Sequence, residues 1–429
     1  MKCHVVADPL RPFPLRELAL GSRDNRPHTP RQAQTTPLDC ARQPAYVHPP
    51  MDVPATEQLD KHSPMHAGSA SRLGSAADEL ALRPDPSFWS KRTVCVTGGT
   101  GFLGYHLVRL LVDLAASVRI FALDPRAEHP TRHIPNIELV PGDVLDPAAV
   151  RRAVAGCSVV LHAAGIVAVS GPALRKVWPV HVDGTRNVLD VLEPGARLVH
   201  TSSVVAIGAS RDRRQLNEDS PFNLRGLKVA YVQAKRAAEE LALASPKDVV
   251  AVNPSYLIGP EDYDRSVMGQ FCHRFWRGRV PFAPPGGLNL VDVRDVAAGH
   301  LLAAERGRRG QRYILGGEDH DYVSFLRLMA DVAGYRPRRI PRIPGFLFTA
   351  GSALKEVRGW FRGREPYPSL AHARLNRFYW FFAAERARRE LGYSARPIRE
   401  SLSDAYAWYR SRDRFQLRGF SRWMLRPAE

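Results

Sequence analysis

A short apolar strand followed by three spaced glycines is the feature that most constrains the fold of this chain. The run Thr93–Thr97 is apolar and β-branched, as a buried parallel strand is. Residues 102–114 then carry leucines at helical spacing. Gly98, Gly101 and Gly104 mark the junction. A strand, a glycine turn and a helix in this order predict that a nucleotide diphosphate lies against the start of the helix.

The three glycines have separate roles in that interpretation. Gly98 can adopt backbone angles closed to residues with a Cβ, and Gly101 lets the main chain approach a pyrophosphate. Gly104 lets the helix pack close to the strand. Phe102 and Leu103 lie in the first helical turn, whose free N–H groups would face the phosphates. A glycine cluster alone also fits a simple tight turn, but the strand before it and the helix after it favour nucleotide binding.

The next predicted strand, residues 118–123, ends in Asp124. An acidic side chain at that point can accept hydrogen bonds from an adenosine ribose. It repels a 2′-phosphate and so favours NAD, although Arg126 could pair with that phosphate and allow NADP. The alternative is that Asp124 only caps the strand with a turn.

Strands and helices continue to alternate up to residue 254, which predicts a doubly wound, Rossmann-type parallel sheet with helices on both faces. The further predicted strands are 137–140, 158–162, 197–201 and 249–252, and the helices are 147–155, 174–192 (interrupted by Pro179) and 227–244. Ligands bind such sheets at the carboxyl ends of the strands. The predicted cofactor contacts at those ends are Asp143, Val144, Ala163, Ala164, Gly165 and Pro254.

Tyr231 and Lys235 stand four residues apart, on one face of a predicted helix. A nearby positive charge lowers the pKa of a tyrosine from its usual value near ~10. Tyr231 could then exchange a proton with a carbonyl or hydroxyl oxygen, and Ser203, at a neighbouring strand end, could hydrogen-bond the same oxygen. The pair alone would also fit an exposed surface pair. Its position after the glycine motif and the serine strand end favours catalysis.

Together these motifs resemble the extended short-chain dehydrogenase/reductase family (NAD-dependent epimerase/dehydratase superfamily) over roughly residues 92–411. Further matching motifs lie at residues 182–185, 253–260, 291–297 and 313–317. Within the family the chain is most similar to the dihydroflavonol-4-reductase-like group, which includes 3β-hydroxysteroid dehydrogenases and hopanoid-associated sugar epimerases. The resemblance implies hydride transfer to or from nicotinamide and a homodimer. It also implies that Tyr231 is the acid/base, that Lys235 lowers its pKa and holds the nicotinamide ribose, and that Ser203 orients the substrate oxygen.

Three departures from the family pattern bear on the substrate. His181 stands where many members have asparagine, and we favour a packing role for it over a relay role. The stretch 287–292 lacks the arginine that helps epimerases bind a sugar-nucleotide diphosphate, and Ser203 is not followed by the Thr-Asp-Glu run of dehydratases. These absences favour an apolar or small carbonyl substrate. Aromatic residues suited to such a ligand, about half of them expected in the core, are Phe271, Phe275, Trp276 and Phe282.

The predicted function is therefore that of an NAD(P)-dependent oxidoreductase interconverting a ketone or aldehyde and an alcohol. One alternative is an NAD-dependent sugar epimerase, which would return the hydride to the opposite face of the sugar. Another is a catalytically inactive, nucleotide-sensing binding protein. The intact Tyr231 and Lys235 count against that last alternative.

Three regions are expected. Residues 1–88 belong to a proline-rich stretch without helical or strand periodicity, and are expected to be disordered. The internal Met51 and Met65 allow part of this extension to be a start-site artefact. Residues 89–254 are the dinucleotide-binding core. Residues 255–429 are a mixed segment that completes the core and forms a smaller, mainly helical substrate lobe.

Charge and cysteine content set the remaining expectations. The net charge is +18, and residues 335–429 hold 21 Lys and Arg against 8 Asp and Glu. No nucleic-acid module motif accompanies this surplus, so no nucleic-acid partner is expected. Residues 411–426 mix arginines with large apolar side chains and could contact an anionic membrane, or pack on their own domain or on a dimer partner. Five scattered cysteines predict no disulfide framework, no metal site and a cytoplasmic location.

Overall fold

The computed structural model describes residues 83–114, 116–123, 129–337, 339–362, 367–413 and 425–427. The strands in this part of the chain are β1 (Thr93–Thr97), β2 (Ser117–Ala122), β3 (Ile137–Pro141), β4 (Val159–His162), β5 (Arg197–Thr201), β6 (Asp248–Pro254), β7 (Tyr256–Ile258), β8 (Gly287–Asp292), β9 (Arg312–Leu315), β10 (Glu318–Asp321), β11 (Tyr335–Pro337), β12 (Tyr379–Trp380) and β13 (Leu425–Pro427).

The helices in the same residues are α1 (Pro86–Trp89), α2 (Phe102–Asp113), α3 (Pro147–Val154), α4 (Leu174–Trp178), α5 (Gly184–Val191), α6 (Ala230–Leu243), α7 (Val267–Trp276), α8 (Val293–Arg306), α9 (Tyr322–Val332), α10 (Gly345–Arg362), α11 (Leu370–Leu375), α12 (Glu385–Leu391) and α13 (Ile398–Asp413). Short 3₁₀ turns occupy Pro130–His133 and Val204–Ala206, and Pro179–Asp183 is π-helical. None of the described helices is long and apolar enough to cross a membrane.

Seven of these strands form one sheet in the order β3–β2–β1–β4–β5–β6–β9, and every neighbouring pair is parallel. The prediction of a Rossmann-type parallel sheet is confirmed. The chain builds outward from β1 first through β2 and β3, and then in the other direction through β4. Ligands bind parallel sheets at such a reversal, outside the carboxyl ends of the strands.

Helices cover both faces of this sheet because its strands are apolar on both sides. Along β1 the side chains alternate: Val94 and Val96 pack with α2 and α8, whereas Cys95 packs with α3, α5 and α6. All three side chains are fully buried. This burial explains why the sequence of β1 is a continuous apolar run rather than an alternating one.

The chain beyond β6 builds a second, smaller layer. There β8 pairs in parallel with β7 and β12 and antiparallel with β10. The helices α7, α9 and α13 pack on these strands around a third core, whose largest fully buried side chains include Phe275, Trp276, Phe325 and Trp380. In the same segment β9 returns to the large sheet beside β6.

One local prediction is corrected and another is confirmed. Residues 83–88 were assigned to a disordered extension, yet they include most of α1, which Asp85 caps by accepting from the Ser87 N–H at 2.8 Å. The fully buried Trp89 anchors this helix by donating from Nε1 to Glu305 at 2.5 Å. The predicted interruption of the helix 174–192 at Pro179 is confirmed, since a π-helical turn that begins at this proline separates α4 from α5.

A substitution at Gly104 can test how tightly α2 packs on the turn before it. A Cβ on Gly104 would lie 2.1 Å from the Gly98 carbonyl oxygen, whereas a Cβ on Gly351, in α10, would meet nothing within 4 Å. We expect Gly104→Ala to lower the free energy of unfolding by about 1–3 kcal/mol through overpacking. The matched variant Gly351→Ala should raise it by about 0.5–1 kcal/mol, since alanine is the better helix former. Equal urea midpoints for the two variants would contradict this packing.

Candidate active site

The turn after β1 has the form of a phosphate cradle. Gly98 adopts φ +70°, and its N–H donates to the Phe121 carbonyl on β2 at 2.7 Å. A Cβ at Gly98 would lie 2.8 Å from the backbone of Ala164, so only glycine fits. Gly101 is the N-cap of α2 and offers no side chain to cap it. The first N–H groups of α2, including those of Phe102 and Leu103, are thus available to an anion.

Small residues after β4 complete this side of the cradle. The Ala163 N–H donates to the Thr97 carbonyl at 3.1 Å, and the Ala164 N–H donates to the Thr97 hydroxyl oxygen at 3.1 Å. A Cβ at Gly165 would lie 2.6 Å from the ring of His181. Ala163 and Ala164 therefore lie against the glycine turn, and Gly165 lies against His181.

The predicted cofactor contacts after β2 and β3 lie only partly within the described residues. Residues 124–128, which include Asp124, lie outside the described residues. The Gly142 N–H donates to Ala122 at 2.8 Å, so the end of β3 adjoins the end of β2. Asp143 accepts from the Leu145 N–H at 3.0 Å, and the buried Val144 follows it.

Of the three predicted catalytic residues, Ser203 lies at the carboxyl end of β5, and Tyr231 and Lys235 lie on α6. Ser203 begins the 3₁₀ turn after β5, and the side chain of Asn253 on β6 donates to its carbonyl at 3.0 Å. Pro254 is the next residue of β6 and is buried. Tyr231 lies in the first turn of α6, with Lys235 one turn further along.

Ser203 and Tyr231 are joined by a side-chain hydrogen bond, but the effect expected of Lys235 on Tyr231 is not observed. Burial raises the pKa of Tyr231 to about 12, and the hydrogen bond with Ser203 only partly opposes it. Lys235 instead donates from Nζ to the Thr201 carbonyl at 2.8 Å. Tyr231 is therefore a neutral phenol at pH 7, in the form that donates a proton.

Lys235 is a buried cation whose charge is only partly balanced. Burial lowers the pKa of Lys235 to about 8, while the carboxylate of Glu239 raises it. The sequence analysis missed Glu239, although it lies one helical turn beyond Lys235 and four-residue spacing is a recognisable signal. Glu239 is almost fully buried and accepts from Arg312 on β9 at 2.9 Å and from Asn253.

Four buried histidines surround this lysine: His162, His181, His200 and His300. Burial, and then the charge of Lys235, lowers the pKa of His162 to about 3 and the pKa of His181 to about 3. Burial likewise lowers the pKa of His300 to about 4 and holds the pKa of His200 well below its usual range. All four rings are neutral at pH 7.

Three of these rings have hydrogen bonds, and those of His162 are with the Thr97 and Thr185 hydroxyls at 2.7 and 3.2 Å. His300 Nδ1 donates to the Val296 carbonyl at 2.7 Å, which leaves Nε2 to accept from the Thr201 hydroxyl at 3.0 Å. His181 hydrogen-bonds the Ile166 carbonyl through Nε2 at 3.0 Å, and its ring lies edge to face with Tyr231 at 5.7 Å. The π-helical turn places His181 there, and its contacts are those of a packing residue.

The ring of His200 differs from the other three in its hydrogen bonding. Within the described part of the chain, neither nitrogen of His200 has a hydrogen-bond partner. The ring lies 5.7 Å from that of His162. His200 is therefore a buried polar side chain that can be replaced without breaking a hydrogen bond.

On the substrate side, two of the four proposed aromatic residues belong to the core. Phe275 and Trp276 are fully or almost fully buried. Phe271 is half-buried, with its ring centroid 5.9 Å from that of Tyr322, and Phe282 is half-buried against Phe348. On α7, Phe275 and Trp276 face the core, whereas Phe271 lies on a less buried side of the helix. Among the described residues, no group of three or more His, Cys, Asp or Glu side chains could hold a metal ion.

Comparison with known proteins places these features in a family. The model of the NAD dependent epimerase/dehydratase family matches residues 94–316. Sterol demethylase protein B of Methylococcus capsulatus is 32% identical over 338 residues, covering 75% of this chain and 99% of that protein. The 4-hydroxy-2-methyl-3-oxo-4-farnesyl-3,4-dihydroquinoline-1-oxide ketoreductase of Stigmatella aurantiaca is 29% identical over 325 residues, covering 72% and 94%. The crystal structure of gox2253 has a TM-score of 0.65 at 30% identity, covering 76% and 100%.

The neutral histidines predict acid sensitivity. Their native pKa values lie below the usual 6.5, so the unfolded chain binds more protons once the pH falls below 6.5, and stability is lost as the pH falls further. Each such histidine should contribute a loss of about 1.4 kcal/mol per pH unit below that point. Thermal unfolding between pH 7.5 and 5 measures the slope.

His200 and His300 provide a matched pair of variants for this slope. His200→Leu removes one titrating group without breaking a hydrogen bond. The free energy of unfolding at pH 7.5 should therefore be kept, and its loss per pH unit below 6.5 should be smaller by the contribution of one histidine. His300→Leu also removes one group, but it deprives Thr201 and Val296 of their partner and should cost about 1–3 kcal/mol at pH 7.5. A wild-type stability that is unchanged between pH 7.5 and 5 would show that the buried histidines do not titrate on unfolding.

Proposed function

The chain belongs to the NAD-dependent epimerase/dehydratase family, and on that basis we propose that it is an oxidoreductase that interconverts a ketone or aldehyde and an alcohol on a small or apolar substrate. The observation that carries the proposal is the proximity of three groups: Ser203 lies beside Tyr231, and Lys235, one helical turn from Tyr231, bonds the carbonyl of Thr201 two residues before Ser203. These groups supply a proton donor, an orienting hydroxyl and a cation within one site.

The cradle suits a dinucleotide. Gly98, Gly101 and Gly104 keep side chains away from the N-terminus of α2, which leaves its N–H groups for a pyrophosphate. A bound nicotinamide would accept or give up the hydride. We propose NAD rather than NADP, because Asp124 follows β2 in the sequence and a carboxylate there repels a 2′-phosphate.

The residues of the chain would act mainly in the direction of reduction. Tyr231 carries its proton at pH 7 and would donate it from Oη to the carbonyl oxygen of the substrate as that oxygen gains negative charge. Ser203 would hydrogen-bond the same oxygen. The positive charge of Lys235 would favour the phenolate that Tyr231 becomes. A proton then has to return to Tyr231 before the next turnover.

Two observations support an apolar substrate over a nucleotide sugar. The half-buried Phe271 and the almost fully buried Tyr322 lie on the substrate side, and the sterol and farnesyl-quinoline relatives are named for apolar molecules. On β8, where epimerases carry an arginine for the diphosphate, Asn289 is fully buried and donates to Asp319 at 2.7 Å. The polar side chain of Asn289 is therefore already used in hydrogen bonds within the protein.

Tyr231→Phe tests the proposed proton donor. It removes only the phenolic oxygen, so we expect kcat/KM for reduction of a 3-oxo steroid to fall by about 10²–10⁴-fold while dinucleotide binding is kept. Tyr335→Phe, at a half-buried tyrosine in β11, should leave both unchanged. NADH and NADPH are compared in the same absorbance assay, with NADH expected to be the better substrate. Unchanged turnover in Tyr231→Phe would disprove the assignment, and hydride exchange without net turnover would indicate an epimerase.

Lys235 predicts the pH profile of reduction. Its native pKa of about 8 means that it is charged below pH 8 and neutral above. If that charge favours the Tyr231 phenolate, kcat/KM should fall about tenfold per pH unit as the pH rises above 8. Lys235→Arg keeps a positive charge throughout and should abolish this fall, even if its maximal rate is lower. A wild-type profile that is flat from pH 7 to 10 would exclude this role of the charge.

A further inference from the structure

A row of aromatic side chains leads from Tyr231 into the substrate lobe. We call Tyr256, Phe271, Tyr322 and Tyr367 the aromatic wall. Tyr256 and Phe271 are half-buried against the same apolar core as Tyr231, and Tyr322 is part of that core. The rings of Phe271 and Tyr322 are 5.9 Å apart. Burial raises the pKa of Tyr256, and the neighbouring Tyr322 and Tyr231 raise it further.

Arg274 lies at the far end of this wall. It follows Phe271 by three residues on α7, so the two side chains share a face of the helix. Its guanidinium carbon lies 3.7 Å from the ring centroid of Tyr367, which is a stacking distance. A guanidinium has five N–H donors, so contact with one ring leaves donors that can bind a carboxylate or phosphate bidentately.

The charge of Arg274 has no carboxylate partner among the described residues. Among the described residues, none of the ion pairs involves this half-buried arginine. Other half-buried arginines of the lobe are paired: Arg294 with Asp292 and Arg396 with Asp295, each at 2.7 Å. A partly desolvated guanidinium costs free energy unless an anion pairs with it. Arg274 therefore lacks the anionic partner that these other arginines have.

The surroundings of Tyr367 add to this positive charge. Lys355 on α10 donates from Nζ to the Tyr367 carbonyl at 3.3 Å. Burial, and then the charge of Arg274, lowers the pKa of His372 on α11 to about 4. The nearby Glu356 is already an acceptor for the Leu370 N–H at 2.8 Å. Arg274 on α7 and Lys355 on α10 thus both contact Tyr367, the first at its ring and the second at its carbonyl, while His372 is neutral at pH 7.

We propose that Arg274 binds a carboxylate or phosphate group carried by an apolar substrate at a position remote from the carbon that reacts beside Tyr231. The aromatic wall would hold the apolar body of the molecule between the two groups. This inference rests on the proposed function, since it gives the substrate of that reaction a chemical class: a carbonyl compound with an extended apolar body and a distal anion.

Four 3-oxo steroids test this inference: 3-oxocholanoic acid, its methyl ester, hydrocortisone phosphate and hydrocortisone. Binding is measured by calorimetry with the dinucleotide-loaded protein. The wild type should bind an anionic steroid about tenfold or more tightly than its neutral counterpart, because a hydrogen bond to a charged group has about that value. The acid pair and the phosphate pair show which anion the site accepts.

Variants separate the anion subsite from the chemistry. Arg274→Gln should remove the preference for the anionic steroid and leave the affinity for the neutral one unchanged. Arg327→Gln, at an exposed arginine of α9, is the matched control and should keep the preference. Tyr231→Phe should also keep it. An anion preference that survives in Tyr231→Phe therefore supports the subsite even if the proposed reaction fails.

Three outcomes would overturn the inference: no binding of any of the four steroids, equal binding of anionic and neutral members by the wild type, or equal losses for both members in Arg274→Gln. The last result would assign Arg274 to the packing of Tyr367. Loss of the anion preference in Arg274→Gln together with a measurable reduction rate on the neutral steroid would establish a specificity subsite that is separate from the reacting groups.

Discussion

The backbone after β1 is held by both neighbouring strands, and the geometry of the site depends on that arrangement. Gly98 bonds to β2 through Phe121, and Thr97 receives hydrogen bonds from the two alanines after β4. The turn therefore cannot move away from the sheet to make room for a side chain. Because Gly104 packs directly on it, the start of α2 is fixed relative to the ends of β2 and β4. An anion-binding helix end is useful only in such a fixed position.

Around Lys235 the chain keeps one positive charge incompletely neutralised. The carboxylate of Glu239 is shared with Arg312 and Asn253, and Lys235 itself is anchored on a backbone carbonyl. The neighbouring histidines are too deeply buried to carry charge of their own at neutral pH. In a region of low dielectric the field of this one cation is weakly screened. That field acts on the buried rings of His162 and His181, whose pKa values it lowers.

Features encoded by neighbouring residues were predictable from the sequence, and features created by distant contacts were not. The bounds of β1 and β5 and the positions of Tyr231 and Lys235 follow from local patterns of two or four residues. Arg312 and Glu239 meet across 73 residues, so no window of sequence reveals the pair. The expectation that Lys235 lowers the pKa of Tyr231 failed for the same reason, because burial is a property of the assembled fold.

The return of β9 to the large sheet limits how a protein of this kind can change over evolutionary time. Arg312 on β9 bonds the Glu218 carbonyl, and the Glu218 side chain accepts from Ile314, so β9 also holds the loop between Ser203 and Tyr231. A recombination event that exchanged the whole segment after β6 for another would remove that support from the reacting residues. Single substitutions on α7 and α9, the helices of the proposed substrate site, would leave this support in place.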